Sequence, residues 1–375
     1  MPFFRTVEGP SHPVTQIEGR QLVNLGSNNY LGLATDPRVT KAAASAIATW
    51  GVGVTGSRLM NGNLSLHREL EEEIGAFLGR EAAVVLPTGY VSNLALLSAL
   101  TRRGDAVAAD EEIHASCHDG VRLSGASLRT FAHNDVTDMV RAVGEDHRAG
   151  ICLVEGVYSM SGDIAPLAEI GALVGSSPTM VVVDEAHALG VIGSAGRGAA
   201  EHAHAEDVVD AVVLTFSKSL AGCGGAIAGG RELIDALRYT ARPFMFTASS
   251  TPASLAGALA ALRVLRAHPE YAGDVRERAE CFSSELNAMG TSHRHSGTAI
   301  ITARLGSDAR TAQAWKMLWN RGIFCNAAIS PAVPAGRGGL RFSFMRTHAL
   351  SDIRRAARTC GEVLNELDRT TAAVG

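Results

Sequence analysis

Short apolar runs, each closed by a polar residue, constrain the fold of this chain more than any other feature. Residues 180–183 read Met-Val-Val-Val before Asp184, and residues 211–214 read Ala-Val-Val-Leu before Thr215. Runs of this length and composition are typical of strands buried on both faces, as in parallel sheets. With helical patterns between them, they predict βα units and an open, mostly parallel sheet; similar runs lie at residues 82–86, 106–109 and 151–154.

Polar residues at the ends of these strands are expected at one edge of the sheet, where open α/β sheets bind ligands. Lys218 follows Thr215 by three residues and precedes a glycine-rich turn, so it is a candidate Schiff-base amine. Asp184 is a candidate partner for the protonated ring nitrogen of pyridoxal 5′-phosphate (PLP), whose chemistry depends on that proton. Taken singly, a surface lysine and a helix-capping aspartate explain the two residues better. Their joint placement at two strand ends favours PLP.

The connection after the run at 82–86 is a candidate phosphate site. It reads Pro-Thr-Gly-Tyr and leads into a helix predicted from about Leu94, so N–H groups at a helix N-terminus would face an anion. An ordinary strand-to-helix connection explains the spacing equally well. A second glycine-rich segment, residues 51–58, follows no apolar strand and fails as a dinucleotide-binding fingerprint. We predict a loop there, across the mouth of an active site.

The pattern changes after residue 229 to a mixed succession of helices and strands, which includes one strand predicted at residues 324–328. A chain of 375 residues is long enough for two domains. We therefore predict an N-terminal arm at residues 1–27, a large PLP-binding domain at 28–249 and a smaller α+β C-terminal domain at 250–375.

Composition argues against several kinds of partner. The net charge is −4 and there is no basic cluster, so we expect no nucleic-acid partner. No apolar run reaches about 18 residues, so we expect no membrane partner. The six cysteines are scattered without a CxxC pair, which favours free thiols in the cytoplasm and gives no reason to expect a metal site.

Several short motifs carry a family resemblance along nearly the whole chain: Ser-Asn-Asn-Tyr-Leu-Gly-Leu at 27–33, Gly-Ser-Arg-Leu-Met-Asn-Gly at 56–62, His-Ala-Ser at 114–116, Glu-Gly-Val-Tyr-Ser-Met at 155–160, Asp-Glu-Ala-His at 184–187, Thr-Phe-Ser-Lys at 215–218 and Leu-Arg-Phe-Ser at 340–343. With these motifs the chain resembles the α-oxoamine synthase family of fold-type I PLP-dependent enzymes. The resemblance implies an α/β fold of the aspartate-aminotransferase type, with a mostly parallel sheet in the large domain.

The resemblance also implies a cofactor role for many of these positions. Lys218 would hold PLP as a Schiff base and later move the α-proton, Asp184 would keep the ring nitrogen protonated, and His187 would bind the phenolic oxygen. His114 would stack on the ring. The other implied cofactor contacts are Thr215, Gly89, Tyr90, Glu155, Ser159 and, from the neighbouring subunit of a homodimer with a shared active site, Thr247 or Ser249.

On the substrate side, the resemblance implies that Arg341 binds the amino-acid carboxylate and that Asn28 lines the acyl side. Arg58 is either a contact of the acyl chain or a structural loop arginine. The implied reaction is a decarboxylating Claisen-like condensation of an amino acid with an acyl thioester of CoA or a carrier protein, which gives an α-aminoketone, CO2 and a free thiol. An aminotransferase on the same fold is the alternative. The amino acid and the acyl donor are left open.

Overall fold

The computed structural model of the chain describes residues 2–144, 149–174 and 177–372. The described residues form two compact units. The larger comprises Asp36–Ser159 and Ile164–Glu270, and the smaller comprises the described residues of Met1–Thr35, Met160–Asp163 and Tyr271–Gly375. The division into an arm and two domains, with boundaries at residues 27 and 249, stays a prediction.

The elements follow the succession of strands and helices that the apolar runs predict. The strands are β1 (Val14–Ile17), β2 (Arg20–Asn24), β3 (Ala82–Leu86), β4 (Ala106–Asp110), β5 (Ser127–Phe131), β6 (Ala149–Glu155), β7 (Met180–Asp184), β8 (Ala211–Thr215), β9 (Gly225–Gly229), β10 (Arg294–His295), β11 (Ile300–Gly306), β12 (Ile323–Phe324), β13 (Asn326–Ala328) and β14 (Gly338–Ser343). The helices are α1 (Pro37–Trp50), α2 (Ser65–Leu78), α3 (Gly89–Leu100), α4 (Ala115–Ser124), α5 (Val136–Val143), α6 (Leu167–Val174), α7 (Ala199–His202), α8 (Arg231–Thr240), α9 (Arg242–Met245), α10 (Pro252–Ala267), α11 (Tyr271–Ala288), α12 (Asp308–Asn320) and α13 (Leu350–Ala372).

A seven-stranded sheet forms the centre of the larger unit, in the order β3-β9-β8-β7-β6-β4-β5. Strands β5, β4, β6, β7 and β8 run parallel to one another, whereas β9 is antiparallel to both β3 and β8. The prediction of a mostly parallel sheet is therefore confirmed. The central strands are buried on both faces, which is why their sequences are unbroken apolar runs.

Helix α3 and strand β5 differ from the prediction. Helix α3 begins at Gly89 rather than near Leu94, because the Thr88 side chain accepts a hydrogen bond from the Val91 N–H and caps the helix there. Strand β5 is absent from the prediction. It lies at the edge of the sheet and is mostly exposed or half-buried, so its sequence carries no continuous apolar run.

Three helices, α1, α2 and α10, pack together in the larger unit. Asp36 caps α1 by accepting a hydrogen bond from the Arg38 N–H. Thr251 caps α10 in the same way through the Ser254 N–H. Because α10 packs on α1 and α2, it groups with the larger unit, whereas the predicted boundary at residue 249 assigns it to the C-terminal domain.

The smaller unit holds two sheets, of order β1-β2-β12 and β10-β11-β14-β13. The segment predicted as one strand at 324–328 is divided between them, because β12 pairs with β2 and β13 pairs with β14. Helix α13 packs against α11 and α12. In the part of the chain that the structure describes, no helix combines the length and apolar character needed to cross a membrane.

Candidate active site

A cavity of about 330 Å³ lies at the carboxyl ends of the parallel strands in the larger unit. It brings together many of the residues singled out from the sequence: Gly89, Tyr90, His114, Glu155, Asp184, His187, Thr215 and Lys218. The rest of its lining is Thr88, Asn93, Ser116, Ala186, Ser217, Cys223 and Gly224. The prediction that polar groups at several strand ends share one edge is confirmed.

Two buried acidic side chains lie side by side at this edge. Glu155 ends β6 and Asp184 ends β7, and the two residues are register partners in the parallel ladder. Glu155 accepts a hydrogen bond from the Ser159 N–H on Oε2 at 2.9 Å. Burial, reinforced by the neighbouring Asp184, raises the pKa of Glu155 to about 8, which favours the protonated carboxyl. A protonated carboxyl in the cavity wall can donate a hydrogen bond.

The Asp184 carboxylate is held by donors on both of its oxygens. Its Oδ1 accepts the Ala186 N–H at 3.0 Å, and its Oδ2 accepts Nδ2 of Asn93 at 2.7 Å. Asn93 comes from α3 and is buried. The carboxylate therefore has a fixed orientation before any ligand binds.

Lys218 lies in the loop that joins the antiparallel strands β8 and β9. The Phe216 N–H donates to the Gly224 carbonyl at 2.9 Å, and the Gly222 N–H donates to the Phe216 carbonyl at 2.9 Å. Ala221 has a φ of 59°, in the left-handed region that residues other than glycine seldom adopt. Lys218 therefore lies in a tight loop that is held together by its own backbone hydrogen bonds.

The N-terminus of α3 faces the cavity through Thr88, Gly89 and Tyr90. Among the described hydrogen bonds, none uses the N–H of Gly89 or of Tyr90, as expected for the first turn of a helix. A Cβ on Gly89 would lie 2.7 Å from Cβ of Thr215, so the close approach of helix and strand requires glycine there. Two available N–H groups and the positive end of the helix dipole suit an anion.

Arg58 lines a different cavity, of about 580 Å³, and is bound to protein groups. Its guanidinium pairs with the buried Glu71 and donates to the Val85 carbonyl at 2.9 Å and to Oδ1 of Asn63 at 3.0 Å. Arg238 reaches the same Glu71 carboxylate at 3.1 Å. Of the two interpretations of Arg58, these contacts favour the structural one.

Thr247 and Ser249 lie outside the lining of the Lys218 cavity. Thr247 lines a separate surface cavity together with Met60 and Phe246. The Ser249 hydroxyl lies 3.0 Å from Nε2 of the buried His67. Their contact with the phosphate of a neighbouring subunit stays a prediction.

Asn28 and Arg341 meet within the smaller unit. The buried Arg341 donates from both terminal nitrogens to Oδ1 of Asn28 at 3.3 Å, and from Nη1 to the Ser343 hydroxyl at 2.6 Å. The buried Tyr30 hydroxyl donates to the same Asn28 oxygen at 3.2 Å. We call these four residues the Arg341 cluster. They hold the guanidinium in place.

Among the cavity-wall residues that sequence reasoning did not single out are Asn93 and Ser116. Both are buried and hydrogen-bond to each other at 2.9 Å. Ser116 had a detectable signal, since it follows His114 by two residues, the spacing at which an N-cap side chain accepts a backbone N–H. Asn93 had none, because its partners lie 23 and 91 residues away along the chain.

The whole chain is similar to proteins of known family. It matches the model of aminotransferases class I and II over residues 20–359. It is 40% identical over 363 residues to a serine palmitoyltransferase of Caulobacter vibrioides, covering 96% of this chain and 89% of that protein. It is 39% identical over 353 residues to an 8-amino-7-oxononanoate synthase of Thermosipho melanesiensis, covering 94% and 90%. A solved serine palmitoyltransferase of S. paucimobilis with a bound PLP–myriocin aldimine has a TM-score of 0.93 at 35% identity, over 98% of this chain and 94% of that one.

These similarities agree with the geometry. The two enzyme names, serine palmitoyltransferase and 8-amino-7-oxononanoate synthase, are those of α-oxoamine synthases, and the likeness extends over nearly all of the chain. The lysine, the two strand-end carboxyls and the glycine at the α3 N-terminus occupy one cavity. The chain therefore belongs to the aminotransferase class I and II family and, within it, to the α-oxoamine synthases.

Proposed function

We propose that the chain is a PLP-dependent α-oxoamine synthase that joins an amino acid to an acyl thioester, with release of CO2 and a free thiol. The observation that carries this proposal is the convergence of Lys218, Asp184 and the α3 N-terminus in one cavity. Each of these elements provides a group that PLP needs, and the named relatives are enzymes of this reaction class.

The cavity lining fits the cofactor group by group. Lys218 supplies the primary amine for the aldehyde, and Asp184, with both oxygens already oriented, supplies a carboxylate for the ring nitrogen. The N–H groups of Gly89 and Tyr90, with the hydroxyl of Thr215, provide donors for the phosphate. We assign PLP to this cavity on that donor set.

The chemistry is then divided between the cofactor and the chain. When bound, PLP supplies an electron sink for the charge that develops at the α-carbon of the amino acid. Lys218 would hold the cofactor and would take the α-proton of the amino acid as a general base; a placed general base of this kind contributes about 10²–10⁴-fold. Asp184 would hold the proton on the ring nitrogen, His187 would bind the phenolic oxygen and His114 would stack on the ring.

On the substrate side we propose that Arg341 binds the carboxylate of the amino acid as a bidentate partner and that Asn28, Glu155 and Ser159 line the ring and acyl sides. We further propose a homodimer in which Thr247 or Ser249 reaches the partner's phosphate site. The thioester is one of CoA or of a carrier protein. All six cysteines are free thiols, which suits an enzyme of the cytoplasm.

The proposal is tested by incubating the purified enzyme with PLP, a panel of amino acids that includes glycine, alanine and serine, and a panel of acyl-CoA thioesters. We expect equal amounts of CO2 and free thiol with the right pair. Borohydride should fix the cofactor to the peptide that contains Lys218, as read by mass spectrometry. Lys218→Ala should lose both signals, and Lys41→Ala, at an exposed position of α1, should keep both.

Two results would overturn the proposal in different ways. Thiol release without CO2 would refute the decarboxylating condensation and leave the cofactor assignment intact. Conversion of the amino acid to its oxo acid without any acyl thioester, with its amino group passed to PLP or to an added 2-oxo acid, would favour an aminotransferase, which the named relatives do not support.

A further inference from the structure

A continuous line of hydrogen bonds connects Asp184 to His114 through residues that the proposed reaction leaves without a role. Nδ2 of Asn93 donates to Oδ2 of Asp184 at 2.7 Å and to the Ser116 hydroxyl at 2.9 Å. The Ser116 hydroxyl lies 2.7 Å from Nδ1 of His114, and the Ser116 N–H donates to the same nitrogen at 3.2 Å. All four residues line the Lys218 cavity, and Asn93 and Ser116 are buried.

The direction of each bond in this line is fixed by the one before it. An ionised carboxylate only accepts hydrogen bonds, so Asp184 requires the NH2 group of Asn93, and not its oxygen, on that side. The second hydrogen of the same NH2 group goes to the Ser116 oxygen. The Ser116 hydroxyl hydrogen is then available for Nδ1 of His114, which lies 2.7 Å from the hydroxyl oxygen.

The capping of helix α4 independently requires Nδ1 of His114 to accept a hydrogen bond. His114 is the N-cap of α4, and its Nδ1 accepts the Ser116 N–H as a capping side chain does. A backbone N–H cannot reverse its role, so Nδ1 has to be an acceptor without a proton. In the neutral ring the proton then lies on Nε2.

We propose that Asn93 and Ser116 are positioning residues that fix His114 as a neutral imidazole with its proton on Nε2. This makes His114 a hydrogen-bond donor in the cavity. In the reaction proposed above, on which this last step rests, Nε2–H donates to the carbonyl oxygen of the acyl thioester as negative charge develops there.

The surroundings of His114 favour the neutral ring. Burial lowers its pKa, Lys218 and His118 act in the same direction, and Asp184 opposes them. A cap position also places the ring at the positive end of the α4 dipole, which disfavours a cation. The titratable groups that face His114 from the neighbouring elements are Asp184, Glu155, Lys218, His118 and Tyr90.

The test is nitrogen NMR of the histidine rings in the PLP-loaded enzyme, with the His114 signals assigned by their loss in His114→Asn. We expect a proton on Nε2 and an unprotonated Nδ1 at neutral pH. Ser116→Ala removes the donor of the shorter bond and should raise the pKa of His114 by about 0.5–1 unit, the size expected for one hydrogen bond to the neutral form. Asn93→Ala, on a different helix, should raise it in the same direction and supplies the test if Ser116→Ala fails to fold.

The matched control is Ser124→Ala, which removes another hydrogen-bonded hydroxyl at the opposite end of α4. It should leave the His114 signals and their titration unchanged. The acid limb of kcat/KM against pH should move upward in Ser116→Ala by the same amount as the pKa of His114.

A proton on Nδ1 in the unsubstituted enzyme would overturn the proposal. So would a titration of His114 in Ser116→Ala and Asn93→Ala that matches the one in Ser124→Ala. Because the NMR readout needs no turnover, it is independent of the CO2 and thiol assay: an enzyme with the expected tautomer and no condensation activity would refute the proposed function only.

Discussion

The Lys218 cavity and the Arg341 cluster are both buried sets of polar residues, but the chain builds them in opposite ways. The cavity is assembled from the ends of successive parallel strands and from the helix and loop segments that follow them. The Arg341 cluster joins Asn28 to a residue 313 positions later, on the antiparallel strand β14. The residues of the cavity share one position, the end of a parallel strand, whereas the Arg341 cluster depends on a single long-range contact.

This difference determines how many residues of each region can be predicted from the sequence. In a parallel βα fold every strand ends at the same edge, so a polar residue after an apolar run is already placed relative to its counterparts. No such rule applies to Arg341. Its neighbours in sequence alternate between the two faces of β14, and the Asn28 partner lies in an irregular segment after β2. Arg341 was therefore identified through the family resemblance alone.

Among the substitutions that test this comparison, Asp184→Ala is expected to have the largest effect on activity. Asp184→Ala removes the carboxylate that Asn93 and the Ala186 N–H hold in place, and we expect kcat/KM to fall about 10³-fold, the scale of losing one preorganised electrostatic partner. PLP binding, measured by titration of the apoenzyme, should weaken as well. Asp135→Asn, which keeps the α5 cap, is the control. Full activity in Asp184→Ala would show that the strand-end rule selected the wrong carboxylate.

The next largest effect is expected in the Arg341 cluster. Arg341→Lys keeps the charge but loses the two-pronged geometry, so KM for the amino acid should rise by about 10²-fold while kcat changes less. Arg355→Lys, at an exposed position of α13, should leave both constants unchanged. An unchanged KM in Arg341→Lys would limit the cluster to a structural role in the smaller unit.

Much of the larger unit was predictable because its signals are local. Buried runs predict β4, β7 and β8, and Asp36, followed by Pro37, marks the start of α1. The elements that were not predicted correctly depend on long-range pairing or lie at an exposed edge of a sheet. Strand β5 lacks an apolar run because it lies at the sheet edge, and the division of 324–328 into two strands depends on which partner each half meets.

A smaller effect, on stability rather than on catalysis, is expected at Arg58. Arg58→Met leaves the buried Glu71 with two of its described partners, Arg238 and the Val85 N–H, and we expect the free energy of unfolding to fall by about 2 kcal/mol. Urea denaturation measures this, with the exposed Arg68→Met as the control. A large rise in KM for the acyl thioester with unchanged stability would instead assign Arg58 to the substrate.

The smallest effect concerns the pH dependence of stability. The folded-state pKa of Glu155, about 8, lies above its ordinary value of 4.5, so its protonated form stabilises the fold at low pH and this contribution is lost as pH rises toward 8. Glu155→Gln cannot titrate, so the apoenzyme should lose less stability between acidic and mildly alkaline pH. Thermal melting across this range tests the sign. A steeper loss in the variant than in Glu232→Gln, an exposed control on α8, would contradict it.

The loop between β8 and β9 limits the insertions and deletions that such an enzyme can accept. The chain enters and leaves the lysine loop at paired residues, Thr215 and Gly225, of two adjacent strands. An inserted or deleted residue there would slip the pairing of β9 with both neighbours at once, since β9 also pairs with β3. Variation in substrate range, whether natural or selected in the laboratory, is therefore expected to accumulate outside this loop, while the number of residues between Thr215 and Gly225 stays constant.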